Sequence, residues 1–274
     1  MKDFQEKVAF ITGGASGIGL SMAKAFLKEG VQVAIADIRK DRLVKLEAVL
    51  KNPVNVLPIE LDVCDRIAME RAADKVERTF GKVHIVCNNA GIGGIRGKIH
   101  EIEPEAWKNV LDVNLGGVFN GIQVFVPRIK RHGEGGHIIN TSSMTGITPI
   151  TGSGPYGASK AAVAVITEIL HDELADEGIG VSLLAPWIVN TSIFHPDLAD
   201  DDVEGIKKRN KAMREYLGES LTEPDTVAEM VLNGIRNNEL YIFNDKVCRN
   251  MLEKHISRMY EAIDRQFPGS QSGI

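Results

Sequence analysis

The sequence predicts one doubly wound α/β domain, with a mostly parallel seven-stranded sheet and helices on both faces. Three observations lead there. Short, nearly unbroken apolar runs alternate with longer segments of helical period, the pattern of strands buried on both faces. The first strand runs directly into a glycine-rich turn and then a helix, the start of a βαβ unit. No repeat, linker or low-complexity block divides the 274 residues, a length that α/β folds occupy as one unit.

Residues 8–11 are strand-like, and 18–28 read as an amphipathic helix that Gly30 is placed to close. A second strand covers 31–36, and the helix 40–50 stops ahead of Pro53, because proline disfavours helical geometry in the residue before it. A third strand at 54–61, a helix at 66–79 and a fourth strand at 83–87 continue the alternation. Helices follow at 105–115 and 118–131, then a strand at 137–141, a helix at 158–175 and a strand at 180–185. The charged stretch 196–217 and the segment 224–237 read as helices, 240–243 as a last strand, and 246–267 as a polar helix before a Gly/Ser tail.

The bulk numbers narrow the classes of function. With 43% hydrophobic and 25% charged residues the chain is an ordinary globule, long enough to bury a core without disulfides or structural metal. A net charge of -5 argues against a nucleic-acid partner. Cys64, Cys87 and Cys248 are sparse and unpaired in spacing, as expected of reduced thiols in a cytoplasmic protein. Residues 1–7 carry charges and no apolar run, so no signal peptide is expected. Because no uninterrupted apolar run approaches about 18 residues, no membrane-spanning segment is expected either. His100, Glu101 and His137 have no companions at metal-ligand spacing, and no metal is expected.

The loop Thr12-Gly13-Gly14-Ala15-Ser16-Gly17-Ile18-Gly19 joins the first strand to its helix. Small residues let the backbone come close to a pyrophosphate, and the helix N-terminus offers N–H groups to its charge. A tight turn without a ligand would use the same residues, and the spacing departs from the general G-x-G-x-x-G pattern. Asp37 closes the second strand 18 residues after Gly19, close to where a carboxylate accepts from ribose hydroxyls and repels a 2′-phosphate. An Asp capping the next helix is the plainer alternative, and Arg39 nearby could bind a phosphate. Asp37, together with a non-basic Ser16, favours NAD over NADP.

Tyr156 and Lys160 stand four residues apart at the start of a predicted helix, sharing a face, as a surface tyrosine and lysine on a helix also would. A neighbouring ammonium and a positive nicotinamide would favour the phenolate of a tyrosine otherwise titrating near 10. Ser143 follows the 137–141 strand, at a carboxyl edge where ligands bind, and its hydroxyl suits a developing oxyanion; a turn-forming serine in Thr141-Ser142-Ser143 is the plainer alternative. Asn114 is unusual inside a helix unless its side chain or a backbone distortion has a use.

Taken in order, these motifs resemble the short-chain dehydrogenase/reductase family over roughly residues 6–245. Thr12-Gly13-(x3)-Gly17-x-Gly19 resembles its cofactor loop, Asp62-Val63 its adenine-contact pair, and Asn88-Asn89-Ala90-Gly91 the motif after its fourth strand. Asn114, Ser143, Tyr156 and Lys160 resemble its catalytic tetrad. The resemblance implies a Rossmann-type fold and an NAD-dependent oxidoreductase that interconverts a secondary alcohol and a ketone. Tyr156 would exchange the proton, Ser143 would orient the substrate oxygen, and Lys160 would lower the tyrosine pKa and bind the nicotinamide ribose. Asn114 would hold a relay water, and Ile18 would supply a pyrophosphate-binding amide. Val189 and Thr191 would meet the carboxamide. The family's usual Pro-Gly after the sixth strand is here Pro186-Trp187, which puts the local substrate geometry in doubt.

The apolar side chains Ile95, Ile147, Ile150, Ile193, Phe194, Met213, Tyr216 and Leu217 fall in expected pocket segments and suit a hydrophobic alcohol or ketone. Residues 191–220 are expected to form a substrate lid and 246–274 a C-terminal helical extension. The resemblance also implies a homotetramer or homodimer built on the helices at 114–131 and 158–175. An NADP-dependent carbonyl reductase, a dehydratase or epimerase, and a non-catalytic NAD-binding regulator remain as alternatives.

Overall fold

The computed structural model describes residues 1–50, 53–193 and 221–268, with positions 204, 205, 208 and 215 between them. Seven strands form one sheet: β1 (Val8–Thr12), β2 (Gln32–Asp37), β3 (Val56–Glu60), β4 (Ile85–Asn88), β5 (Gly136–Thr141), β6 (Ile179–Leu184) and β7 (Tyr241–Ile242), in the order β3-β2-β1-β4-β5-β6-β7. Every pairing is parallel, so the sheet is more uniform than the mostly parallel one expected. Strand order reverses at β1 and β4, and the crevice outside their carboxyl ends is where a doubly wound sheet binds ligands.

The helices are α1 (Gly17–Lys28), α2 (Lys40–Leu50), α3 (Arg66–Phe80), α4 (Pro104–His132), α5 (Met144–Ile147), α6 (Gly154–Glu173), α7 (Pro224–Asn237) and α8 (Val247–Gln266). Met22 and Phe26 of α1, Leu46 of α2 and Val231 of α7 pack one sheet face. Met69 of α3, Phe125 of α4 and Leu170 of α6 pack the other, against Phe10, Val86 and Ile138. The period of β1, β2 and β4 is hidden for that reason, since both sides of each strand are covered.

Four expectations change. The helices read at 105–115 and 118–131 are one rod, Pro104–His132, carrying a π-helical turn at Asp112–Gly116. The glycine pair Gly116-Gly117 reads as a break but continues helically, because Gly117 lets the rod touch Val63: a side-chain carbon on Gly117 would stand 2.6 Å from Val63 Cγ2. Helix α6 begins at Gly154 rather than 158, with Pro155 inside its first turn, a position proline tolerates because its missing N–H has no helical partner there. The short α5 was not anticipated. Finally, α8 is not polar all round, since Ile256, Met259, Tyr260 and Ile263 form an exposed stripe. Most of the helix expected at 196–217, most of the 191–220 lid, and the tail beyond 268 lie outside the described residues.

By length and composition alone, α4 meets the criteria for a helix able to cross a membrane. In the fold one side of it packs Val124, Phe125 and Ile129 into the core beside the sheet.

One glycine in α4 is set by a contact. A side-chain carbon on Gly121 would fall 1.9 Å from Asn88 Oδ1. Asn88 cannot swing aside, because its Nδ2 donates to Asn140 Oδ1 at 2.8 Å, and Asn140 Nδ2 donates to Thr167 Oγ1 at 3.1 Å. Gly121→Ala is therefore expected to cost about 2 kcal/mol, as overpacking does, and to lower Tm by several degrees in a thermal melt. An unchanged Tm would show that the buried amide chain is slack.

Candidate active site

The glycine loop is held by contacts from the residues that follow β4. Thr12 Oγ1 accepts from the N–H groups of Asn89 and Ala90 at 2.9 and 3.0 Å, and Asn89 Nδ2 donates to the Thr12 carbonyl at 3.0 Å. Gly13 has φ +62°, in the left-handed region that favours glycine. A side-chain carbon on Gly19 would lie 2.3 Å from the Gly13 carbonyl oxygen. Only glycines let this turn close on itself. Ser16 stands at the N-cap of α1 but makes no side-chain cap bond, and the first turn carries no acidic residue. The helix end around Gly17, Ile18 and Gly19 is thus an open anion site by the geometry of its N–H groups.

Asp37 is buried at the end of β2, its Oδ2 accepting from the Ala15 N–H at 3.1 Å and its Oδ1 from the Arg39 N–H at 3.0 Å. Asp37 thus ties the turn at Arg39, ahead of α2, to the glycine loop at Ala15. The Arg39 guanidinium grips Asp41 with two bonds of 2.8 Å. Arg42 instead reaches the loop, with Nη1 donating to Ser16 Oγ at 3.0 Å. Asp62 and Val63 follow β3. Asp62 Oδ1 accepts from the Cys64 N–H at 2.9 Å, and the Val63 carbonyl accepts from Asn120 of α4 at 2.9 Å.

At the carboxyl ends of β4 and β5 the four expected side chains converge. Tyr156 and Lys160 lie in the first two turns of α6 and are both buried, with the Lys160 ammonium 5.8 Å from the Tyr156 ring centre. Lys160 Nζ donates to the Thr141 carbonyl at 2.8 Å. Ser143 caps α5, its Oγ accepting from the Thr145 N–H at 3.1 Å. Asn114 occupies the π turn, its Oδ1 accepting from the Ile92 N–H at 2.8 Å and its Nδ2 donating to Ser159 Oγ at 3.1 Å. The distortion that an in-helix asparagine called for is that turn. Gly91 packs against the Asn114 and Lys160 side-chain heads, since a side-chain carbon on it would stand 3.1 Å from Asn114 Oδ1 and 3.3 Å from Lys160 Nζ.

Burial sets the electrostatics of the reacting pair. Burial pushes the Tyr156 pKa up, and the hydrogen bond with Ser143 opposes that only in part. Burial also pulls Lys160 down to about 8. The polypeptide alone therefore does not depress the tyrosine. Of the two influences on the phenol, desolvation is the larger.

Val189 and Thr191 close the site from above. The Val189 carbonyl accepts from the Thr191 N–H at 2.8 Å, and a side-chain carbon on Gly17 would lie 3.2 Å from Thr191 Cγ2. Of the expected pocket residues, Ile95 is exposed, Ile147, Ile150 and Ile193 are half-buried, and Phe194, Met213, Tyr216 and Leu217 lie outside the described residues. Sequence reasoning missed the supporting groups: the Thr12 hydroxyl, the Thr141 carbonyl and Asn244. A threonine ending a buried strand is a faint signal for the first. A carbonyl that holds an ammonium leaves no trace in residue type. Among the described residues no three His, Cys, Asp or Glu side chains gather at metal-binding distance.

A doubly wound parallel sheet with a glycine cradle beside a buried Ser-Tyr-Lys cluster is an oxidoreductase architecture. The short chain dehydrogenase family matches residues 7–202, and the chain belongs to the short-chain dehydrogenase/reductase family. It is similar to the C alpha-dehydrogenase of Sphingobium sp., 35% identical over 270 residues that cover 96% of this chain and 88% of that protein. It is also similar to 3beta-hydroxysteroid dehydrogenase 2 of Eggerthella lenta, 36% identical over 188 residues, or 68% of this chain and 72% of that one. The crystal structure of a Burkholderia phymatum short chain dehydrogenase/reductase in complex with NAD superposes with a TM-score of 0.84 at 28% identity, covering 100% of both chains.

Proposed function

We propose that the chain is an NAD-dependent oxidoreductase that interconverts a hydrophobic secondary alcohol and its ketone, with Tyr156 as general acid and base. The convergence of buried Tyr156, Ser143 and Lys160 at the carboxyl edge of β5, next to the glycine cradle, carries this reading. The cradle fits a dinucleotide. Gly13, Ser16, Gly17, Ile18 and Gly19 hold its pyrophosphate, Asp37 the adenosine ribose, and Asp62 and Val63 the adenine. Asn89, Tyr156 and Lys160 hold the nicotinamide half, with Val189 and Thr191 at the carboxamide. When bound, nicotinamide supplies the hydride donor or acceptor and, oxidised, a positive charge. Tyr156 exchanges the proton with the substrate oxygen, Ser143 orients that oxygen, and Lys160 eases ionisation of the phenol. Asn114 holds the water that links Lys160 to solvent.

The named relatives support an alcohol carbon on a bulky skeleton, the E. lenta protein being named for a hydroxysteroid. The reading places the protein in the cytoplasm, as a homotetramer or homodimer joined through α4 and α6. Exposed Phe119, Val165 and Ile169 on those helices support that surface.

One observation favours the NADP reading: Arg42 reaches the loop at Ser16. Asp37 supports the NAD reading instead, because a carboxylate at the same end of β2 repels a 2′-phosphate. A panel of aliphatic, aromatic and steroid-like alcohols, assayed by nicotinamide reduction, tests the proposal. NAD is expected to outperform NADP. Asp37→Ala is expected to lower kcat/KM for NAD by about 10- to 100-fold, the worth of hydrogen bonds to a charged acceptor, and to narrow the gap to NADP. Preference for NADP in the parent protein would overturn the cofactor assignment.

A further inference from the structure

Asn244, which follows β7, is buried beside the site without touching its reactive groups. Its Oδ1 accepts from the Trp187 N–H at 2.7 Å, and its Nδ2 donates to Thr222 Oγ1 at 2.8 Å. The other side of the same Pro186–Trp187 peptide faces the reacting cluster. The Pro186 carbonyl accepts from the Met144 N–H at 2.9 Å and from the Ser143 hydroxyl at 3.5 Å. One rigid peptide plane therefore has Ser143 on its carbonyl side and Asn244 on its N–H side.

Thr222, the second partner of Asn244, is itself stitched to the segment over the glycine loop. It donates its N–H to the Ile188 carbonyl at 3.1 Å and accepts from the Asn190 N–H at 2.9 Å, next to Thr191. The contacts made by Asn244 thus join three chain segments that are distant in sequence: the turn after β6, the turn before α7, and the end of β7.

We infer that Asn244 is a positioning residue, acting through the Pro186–Trp187 peptide to set the Ser143 hydroxyl and the Val189–Thr191 roof together. The physical reason lies in the peptide itself. The Trp187 N–H is the one donor through which the orientation of that plane is anchored on its outer side. Without a fixed acceptor the plane can rotate, and the Pro186 carbonyl then either pulls the Ser143 hydroxyl away from the substrate oxygen or lets it go. Positions at a catalytic hydroxyl tolerate little error, since a displacement of about 1 Å costs about 100-fold in rate. The family's usual glycine in place of Trp187 is a freer residue. With tryptophan at that position, a fixed amide acceptor in Asn244 holds a backbone that also carries a large side chain.

The inference rests on the proposed oxidoreductase activity, and the test separates the two. Asn244→Leu keeps the volume and removes both hydrogen-bonding groups. Asn244→Asp keeps an acceptor for Trp187, and its second oxygen accepts from the Thr222 hydroxyl. Steady-state constants for the alcohol and for NAD, NADH binding by fluorescence, and apo Tm would be measured for both and for Thr222→Val. Asn244→Leu is expected to lower kcat at least about 10-fold and weaken NADH binding several-fold, with Asn244→Asp recovering most of both. Thr222→Val is expected to weaken NADH binding while leaving kcat nearer the parent, because it frees the roof but spares the Trp187 bond. Equal losses in the Leu and Asp variants, or a fall in Tm with kcat and NADH binding intact, would overturn the assignment. A parent protein that binds NADH but turns over no alcohol would instead defeat the activity, and NADH binding by the Leu variant equal to the parent's would still defeat the positioning of the roof.

Discussion

Tyr156→Phe is expected to reduce turnover by about 1,000-fold or more while leaving NADH affinity within about threefold of the parent, the pattern for loss of a general acid and base alone. The substitution removes one oxygen from a ring that is otherwise buried at the head of α6, so the packing that shapes the cradle survives. Turnover is followed by nicotinamide absorbance, and binding by quenching of the fluorescence of Trp107 and Trp187. A variant retaining more than about a tenth of parental kcat would mean that another group moves the proton. Loss of binding and turnover together would mean that the hydroxyl serves the cofactor more than the reaction. A regulator that uses the nucleotide only as a signal would keep its function in this variant.

The second large effect concerns Lys160, where activity and stability are expected to part. Its ammonium is buried, and burial lowers its pKa from 10.5 to about 8. Because the folded-state value lies below the unfolded one, the unfolded chain binds more protons between about pH 8 and 10.5, and stability rises with pH across that window. Below pH 8 the whole cost of holding the buried charge is present, about 3 kcal/mol at 1.36 kcal/mol per unit. Lys160→Met removes that cost but leaves the Thr141 carbonyl without its donor, a loss of about 1–2 kcal/mol. At pH 7 the variant is therefore expected to melt a few degrees above the parent, with the advantage shrinking and reversing towards pH 10.5. Its turnover is expected to fall about 100-fold or more, since the phenol loses the cation that offsets its own burial. Melting curves of both proteins at several pH values decide the matter. A variant less stable by the same amount at pH 7 and pH 10.5 would show that the lysine is not paying a desolvation cost.

The site was more legible in the sequence than the elements that build it. Ser143, Tyr156 and Lys160 were legible as an ordered set that resembles a family's motif, since each alone reads equally as a turn or surface residue. Asp37 was legible as the last residue of a strand whose position the glycine loop sets. What escaped was support supplied by backbone or by distant segments. The Thr141 carbonyl that anchors Lys160 has no residue signature, and Asn244 meets Trp187 only because β6 and β7 are neighbours in the sheet. The joined α4 escaped because Gly116-Gly117 is a stop signal locally, and only contact with Val63 shows why the helix needs glycine there. The starting point of α6 escaped because Pro155 ends a helix as readily as it begins one.

The wide turn at Asp112–Gly116 makes the rod around it one residue longer than regular winding needs. The two halves of α4 are consequently out of phase by about a quarter turn, and each half presents its own face to its own neighbours. A chain with a residue removed there would still wind smoothly and still cover the sheet with one half, but Asn114 would be carried around the axis and away from Gly91. Foldability and chemistry make different demands on the same five residues, which makes this turn the part of the protein where a length change, more than a change of side chain, separates the two.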